Sequence, residues 1–211
     1  MYLFWTDTET TGLDAKVNSL WQIGGALYKD NEVIAEFEGT MCPPKECVIE
    51  DRALEVGGIT RADLTSFGTQ DELYTKFMDW ILPFRNKLGK LTIAGWNVGF
   101  DKPFIEQFFT RVAGGTAFSQ LFYHYTVDPY ALARILQIED AFKCRYGDRP
   151  INLKLGALAH WLKIDTSKCK MHSALSDAHL AKQVYTKLKT DFIYTIKGLP
   201  KSESSYPPEC L

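Results

Sequence analysis

The sequence predicts a mixed α/β fold, a sheet covered by helices, and three observations carry that reading. The chain up to Cys42 reads as three strands in succession. Beyond residue 73, apolar residues recur at helical spacing in several segments. A short apolar run at 92–96 separates two of those segments, so strand and helix alternate there. Hairpin strands followed by alternating strand and helix argue for a sheet with both antiparallel and parallel pairing. The 211 residues, 45% of them hydrophobic, suffice for one domain that buries its own core without metal or disulfide staples.

Residues 2–6 are apolar and aromatic, as in a buried strand. Residues 20–28 form a second apolar run, broken by Gly24 and Gly25, and Lys29-Asp30-Asn31 is a turn signal. Residues 32–42 alternate, with Val33, Ile34, Ala35 and Phe37 interleaved with acids, until Pro43 and Pro44 end the run. Residues 73–88 place Phe77, Trp80, Ile81 and Phe84 on one helical face. After the strand at 92–96, Pro103 suits the first position of a helix whose stripe is Phe104, Phe108 and Val112. Residues 127–136 and 153–162 are further helical runs. The last helix, 173–188, carries Ala174, Ala181, Val184 and Leu188 at helix spacing. Residues 1–195 are expected to form the domain and 196–211 a flexible tail, rich in Ser, Pro and Glu from Lys201 on.

The formal net charge is −2, so no basic balance advertises a polyanionic partner. Setting aside four carboxylates that bind metal makes the remainder slightly basic, so cations could do the local neutralising. The five cysteines are odd in number and irregularly spaced, which reads as reduced thiols. The N-terminus lacks the basic start and long apolar run of a secretory signal, and no segment is apolar over membrane-spanning length. A soluble, cytoplasmic protein without a membrane partner is expected.

Three acidic clusters sit at expected element boundaries. In Asp7-Thr8-Glu9-Thr10-Thr11-Gly12-Leu13, two acids two residues apart point to one face of a strand. They form either an acidic turn cap or a pair of hard oxygen ligands whose repulsion a cation relieves. In Asn97-Val98-Gly99-Phe100-Asp101, the aspartate is placed to cap a helix or to act as a ligand. In His172-Ser173-Ala174-Leu175-Ser176-Asp177, Ser173 can cap the last helix. That leaves His172 just outside it and Asp177 on the second turn, between small residues that favour close approach to another element. Alone, each cluster has a structural reading: a loop histidine, or charge compensation at a helix start. Together, four acids and a histidine are the inventory of a two-metal hydrolase, in which a histidine titrating near neutrality can take a proton from water.

These strings, in this order, resemble the three motifs of the DnaQ-like, or DEDDh, 3′→5′ exonucleases, a family of proofreading subunits, RNA-trimming enzymes and single-strand DNA exonucleases. Asp7-Thr-Glu9-Thr-Thr-Gly-Leu resembles the first motif, Asn97-x-x-Phe-Asp101 the second, and His172-x-Ala-x-x-Asp177 the third. Gln22-Ile-Gly24, Val56-Gly57-Gly58-Ile59-Thr60, Asp128 and residues 155–164 add weaker likenesses. Many relatives have His where Gly57 stands here. The resemblance spans residues 2–190 and implies a ribonuclease H-like fold: three antiparallel strands, then two parallel ones, with helices on both faces. It implies two divalent cations, Mg2+ or Mn2+, held by Asp7, Glu9, Asp101 and Asp177, with His172 as general base. It implies that Thr8, Thr10, Gly12 and Leu13 meet the terminal nucleotide and that Asn97 and Phe100 line the same groove.

The substrate so implied is the 3′ end of single-stranded DNA or RNA, DNA favoured, released as nucleoside 5′-monophosphates. The alternatives are an RNA-trimming enzyme, and a catalytically weak 3′-end binder or polymerase-associated proofreading subunit. Proofreading would require a DNA polymerase partner. Gln120-Leu121-Phe122-Tyr123 reads either as a sliding-clamp-binding peptide or as core. Many relatives form a homodimer. His124, His160 and His179 read as structural or exposed; His179, two residues from Asp177 on one helix, points elsewhere.

Overall fold

Phe4 and Trp5 leave the first strand on opposite faces, and each lies in a separate core. The structure, a computed structural model, describes residues 2–138, 141–142, 151–167, 169 and 172–193. Strand β1 (Tyr2–Thr10) is buried on both sides because it is the middle strand of five, in the order β3-β2-β1-β4-β5. It pairs antiparallel with β2 (Leu20–Lys29), which pairs antiparallel with β3 (Glu32–Thr40). On its other side it pairs parallel with β4 (Leu91–Ala94), which pairs parallel with β5 (Phe122–Val127). This is the mixed sheet of three antiparallel and two parallel strands expected from the resemblance.

Phe4, Ile23, Leu27, Ile93 and Phe122 pack against α3 (Gln70–Leu88), α4 (Asp101–Ala113) and α5 (Ala117–Leu121). Leu3, Trp5, Ala26 and Ala94 pack against α6 (Pro129–Ile138), α7 (Leu155–Trp161) and α8 (Ala174–Leu188). Helices therefore cover both faces. A smaller cluster around Trp21, with Leu54 and Leu64, anchors two short helices, α1 (Asp51–Gly57) and α2 (Arg61–Ser66). Periodicity did not mark α1 or α2. At six or seven residues they are too short to show it, and α2 relies on a capping box between Thr60 and Asp63.

Several boundaries differ from the sequence reading. β1 runs on to Thr10, so Asp7 and Glu9 lie within a paired strand, opposite Gly24 and Gln22. Helix α4 begins at Asp101, two residues before Pro103, so Asp101 is its first residue and Phe100 occupies the cap position. Val127 ends a strand rather than opening a helix. Leu121 and Phe122 are almost wholly buried at the α5–β5 junction, which removes the clamp-peptide reading of that segment. The expected tail lies outside the described residues, as does Cys210; Cys42, Cys47 and Cys169 are free thiols. Among the described residues no helix is long and apolar enough to cross a membrane.

Candidate functional site

The acids of the three motifs meet at the end of the sheet where β1 finishes. Alternation along β1 turns Asp7 and Glu9 toward the face covered by α8 and turns Thr8 toward α4. Thr8 then fixes Asp101: its N–H and its hydroxyl both donate to Asp101 Oδ1, at 2.9 and 2.7 Å. Asp101 thus serves β1 rather than capping its own helix, and Thr8 is spent on holding it.

Helix α8 reaches the site because β2 makes room for it. Gly24 lies opposite Asp7, and a Cβ there would come within 2.1 Å of the Leu175 backbone nitrogen. Ala174, Ala178 and Ala181 on the inward side of α8 are fully buried, the close approach anticipated for an acid flanked by small residues. Asp177 falls in the first turn of α8. Ser173 sits at the cap position without capping; its hydroxyl donates to Glu38 Oε1 at 2.8 Å. The cap comes instead from β2, where Gln22 Oε1 accepts the Ala174 N–H at 3.1 Å. Next to it, His172 is exposed with a left-handed backbone, φ 61°.

One ligand atom from each of Glu9, His172 and Asp177 lies within 4.8 Å of the others. The electrostatics are those of crowded acids. Burial holds the Asp7 carboxyl well above its usual range, with the charges of Asp101, Asp177 and Glu9 adding to it. Burial, then Asp177 and Asp101, push Glu9 up to about 7. Burial lifts Asp101 to about 7 against the pull of the Thr8 hydrogen bonds. Asp177 is raised by burial and drawn partly back by His172. Among the described residues no Lys or Arg pairs with any of the four.

Asp177 Oδ1 is also buried with no hydrogen-bond partner. Such an atom costs about 1–3 kcal/mol or more if left uncompensated. Hard oxygen donors, an orphaned carboxylate oxygen and mutual repulsion fit divalent cations of the magnesium type. The donor set passes that test on its own chemistry.

A fifth acid joins the site that the motif reading left among the weaker likenesses. Asp128 follows β5, and its Oδ1 accepts the N–H groups of Asn97 and Tyr130, each at 3.0 Å. It ties the left-handed turn at Asn97 (φ 57°) to the start of α6 and adds its charge to Asp101. Two depressions adjoin the motif segments. One, of about 480 Å³, is lined by Thr8, Glu9, Thr10, Gly12, Leu13 and Phe100 among others. Leu13 stands 80% exposed at its rim. A Cβ at Gly12 would fall 2.3 Å from the side chains of Asn18 and Glu50, which would have to move. Gly57 ends α1 nearby, where a Cβ would lie 3.7 Å from Glu9 Oε2. Asn97 does not share this groove with Phe100; it lines the second depression, across the β4–α4 turn.

The chain matches the RNase_T family model, described as an exonuclease, over residues 4–185. The chain belongs to this exonuclease family. A DNA polymerase III of PolC type from Thermotoga petrophila is 29% identical over 108 residues, 51% of this chain and 7% of that polymerase. The Bacillus cereus PolC-type polymerase is 30% identical over 105 residues, 50% of this chain and 7% of the polymerase. The exonuclease domain thus spans a small fraction of these relatives. E. coli Exonuclease I in complex with a dT13 oligonucleotide superposes with a TM-score of 0.70 at 16% identity, covering 93% of this chain and 42% of that one. Another Exonuclease I structure gives 0.72 at 17% identity, over 93% and 43%. At such identities the likeness is one of fold, and the shared fold is the RNase H-like exonuclease fold.

Proposed function

We propose that this exonuclease domain is a divalent-metal-dependent 3′→5′ exonuclease of the DEDDh type. It removes nucleoside 5′-monophosphates from the 3′ end of single-stranded nucleic acid, DNA in preference to RNA. The observation that carries the reading is the orphaned Asp177 Oδ1, buried beside Glu9 and His172 in a cluster of acids with which, among the described residues, no Lys or Arg pairs. Asp7, Glu9 and Asp177 would hold one magnesium or manganese ion, and Asp7 with Asp101 a second. Bound there, two such ions lower the pKa of the attacking water and stabilise the leaving oxygen.

The residues of the chain divide the remaining work. Thr8 keeps Asp101 aimed into the site. His172, exposed to solvent beside two ligands, takes the proton of the attacking water. The depression under Leu13 and Phe100 receives the terminal nucleotide, with Thr10 and Gly12 offering backbone contacts and the apolar side chains stacking on any base. The preference for DNA is supported by the PolC-type polymerases among the relatives and by Exonuclease I in complex with dT13 among the fold neighbours. The same polymerase relatives support a second reading, in which the domain trims 3′ ends in association with a DNA polymerase. Digestion of a 5′-labelled single-stranded oligonucleotide in magnesium should yield a ladder of shortened products and free mononucleotide. Asp7→Ala should yield neither, and equal trimming by the two proteins would overturn the proposal.

A further inference from the structure

The second depression lies across the β4–α4 turn from the first. It is an open trough of about 670 Å³ between α6, that turn and residues 151–155. Among the described residues its lining carries two cations, Arg134 and Lys154, and no carboxylate, in a chain of net charge −2. The rest is amides (Asn97, Gln137 and Asn152), the rings of Trp96 and Tyr130, and aliphatic residues of the 151–155 segment.

The trough is held in shape by hydrogen bonds. Trp96 Nε1 donates to the Leu153 carbonyl at 3.1 Å. Gln137 Nε2 donates to the Ile151 carbonyl at 3.0 Å, while Gln137 Oε1 accepts from Arg134 Nη1 at 2.6 Å. Asn152 Oδ1 accepts the Lys154 N–H at 2.9 Å. Trp96 and Tyr130 meet edge to face, with centroids 5.7 Å apart. The guanidinium is therefore steadied before any ligand arrives, and the floor beneath it is tied to the β4–α4 turn. That turn also carries Asp101 four residues on from Asn97.

We propose that this trough binds the part of a single-stranded polynucleotide lying 5′ of the bond to be cut, with Arg134 and Lys154 on its phosphates. The inference rests on the function proposed above. With the terminal nucleotide in the groove that Phe100 lines and the scissile phosphate at the acids, a strand that leaves past the Asn97–Phe100 turn reaches the trough that Asn97 lines. The trough is where a cationic surface meets it. Two cations with polar amides match a backbone of repeating phosphates, so the grip is indifferent to sequence.

The test measures affinity against strand length by fluorescence anisotropy. The probes are labelled thymidine oligonucleotides of two, four and eight nucleotides in calcium-containing buffer. Wild-type protein should bind more tightly as the strand lengthens. Arg134→Ala/Lys154→Ala should weaken binding of the eight-nucleotide strand about tenfold and flatten the length dependence. Its log-affinity against log-salt slope should become shallower by about 1.4, the share of two phosphate contacts on a single strand. Arg134→Lys/Lys154→Arg, which keeps both charges, should retain the length dependence. Equal wild-type affinity for two and eight nucleotides would overturn the trough. So would an unchanged length dependence in the alanine variant, or its loss in the charge-conserving one. Length-dependent binding that needs both cations, in a protein that trims nothing in magnesium, would uphold the trough and overturn the hydrolase reading instead.

Discussion

Helix α8 buries polar groups at both of its ends, and the two ends treat them oppositely. Toward its C-terminus, Lys182 is 5% exposed, yet its Nζ donates to Asn31 Oδ1 and Thr186 Oγ1 at 2.8 Å each and lies over the Tyr28 ring. Between the two ends, His179 engages both ring nitrogens, with Tyr28 Oη at 2.7 Å and Glu36 Oε1 at 2.9 Å. Burial and the Glu36 charge push the Tyr28 hydroxyl up to about 12, so it stays protonated. At the N-terminal end, Asp177 has a buried oxygen without a partner and faces other acids. The same helix on the same sheet satisfies polar groups where they hold the fold. It leaves Asp177 unsatisfied where the proposed cations would complete it.

The largest break in this contrast should come from Asp177→Asn. It removes a ligand together with a repulsive charge. Activity on single-stranded DNA should fall on the order of a thousandfold, equivalent to about 4 kcal/mol of transition-state stabilisation. Melting of the metal-free protein should move up rather than down, since Asp7 and Glu9 lose a like-charged neighbour. A variant that loses stability along with activity would place Asp177 with the structural groups.

His172→Ala should cost about 10²–10⁴ in turnover, the usual worth of a positioned general base. Stabilisation by magnesium should persist, because Asp7, Glu9, Asp101 and Asp177 remain. Loss of metal-induced stabilisation would make His172 a ligand rather than a base.

The pH dependence of stability sharpens the contrast further. Glu9 and Asp101 hold their protons to about 7 in the folded protein, well above their unfolded values. Between roughly pH 4.5 and 7 the folded state therefore binds more protons than the unfolded one. This contribution to stability is fully present below the ordinary carboxylate range and is lost as pH rises through about 7. The metal-free protein should melt at lower temperature at pH 8 than at pH 5, and saturating magnesium should flatten that slope. A metal-free melting temperature that rises over this range would contradict the raised carboxyls.

The smallest expected effect is at the satisfied end. Lys182→Met should remove about 1–3 kcal/mol, the worth of the two hydrogen bonds its charged Nζ donates. At about 2–4 °C per kcal/mol for a chain of this size, calorimetry would read a drop of several degrees. Trimming at a temperature well below the transition should be retained. If trimming falls with stability intact, the division of α8 into a structural and a chemical end fails.

Much of the site was legible because its residues lie close in sequence and at telling intervals. Asp7 and Glu9, two apart on a strand, had to share a face. The small residues around Asp177 announced the close approach that Gly24 permits. What escaped depends on partners distant in the chain. Ser173 was the local choice of cap for α8, but Gln22, from 152 residues away, took the role. Strand β5 escaped because only Phe122 of its residues is buried. An edge strand facing solvent over most of its length need not alternate apolar and polar residues. Asp128 was read inside the helical run at 127–136 and as a weaker likeness to the family; its grip on the Asn97 turn exists only once β4 and β5 pair. Asn97 and Phe100, three residues apart, were expected in one groove. Phe100 lines the first depression and Asn97 the second.

The claim beneath all of this is that the acid cluster is built around cations. Isothermal titration of the metal-free protein with magnesium or manganese near pH 7, in two buffers of different ionisation enthalpy, tests it most directly. The account predicts two ions per chain and a buffer-dependent heat, because Glu9 and Asp101 release protons as the ions enter. Asp177→Asn should reduce both. Absence of binding in the wild-type protein, or binding that Asp177→Asn leaves unchanged and without proton release, would contradict it.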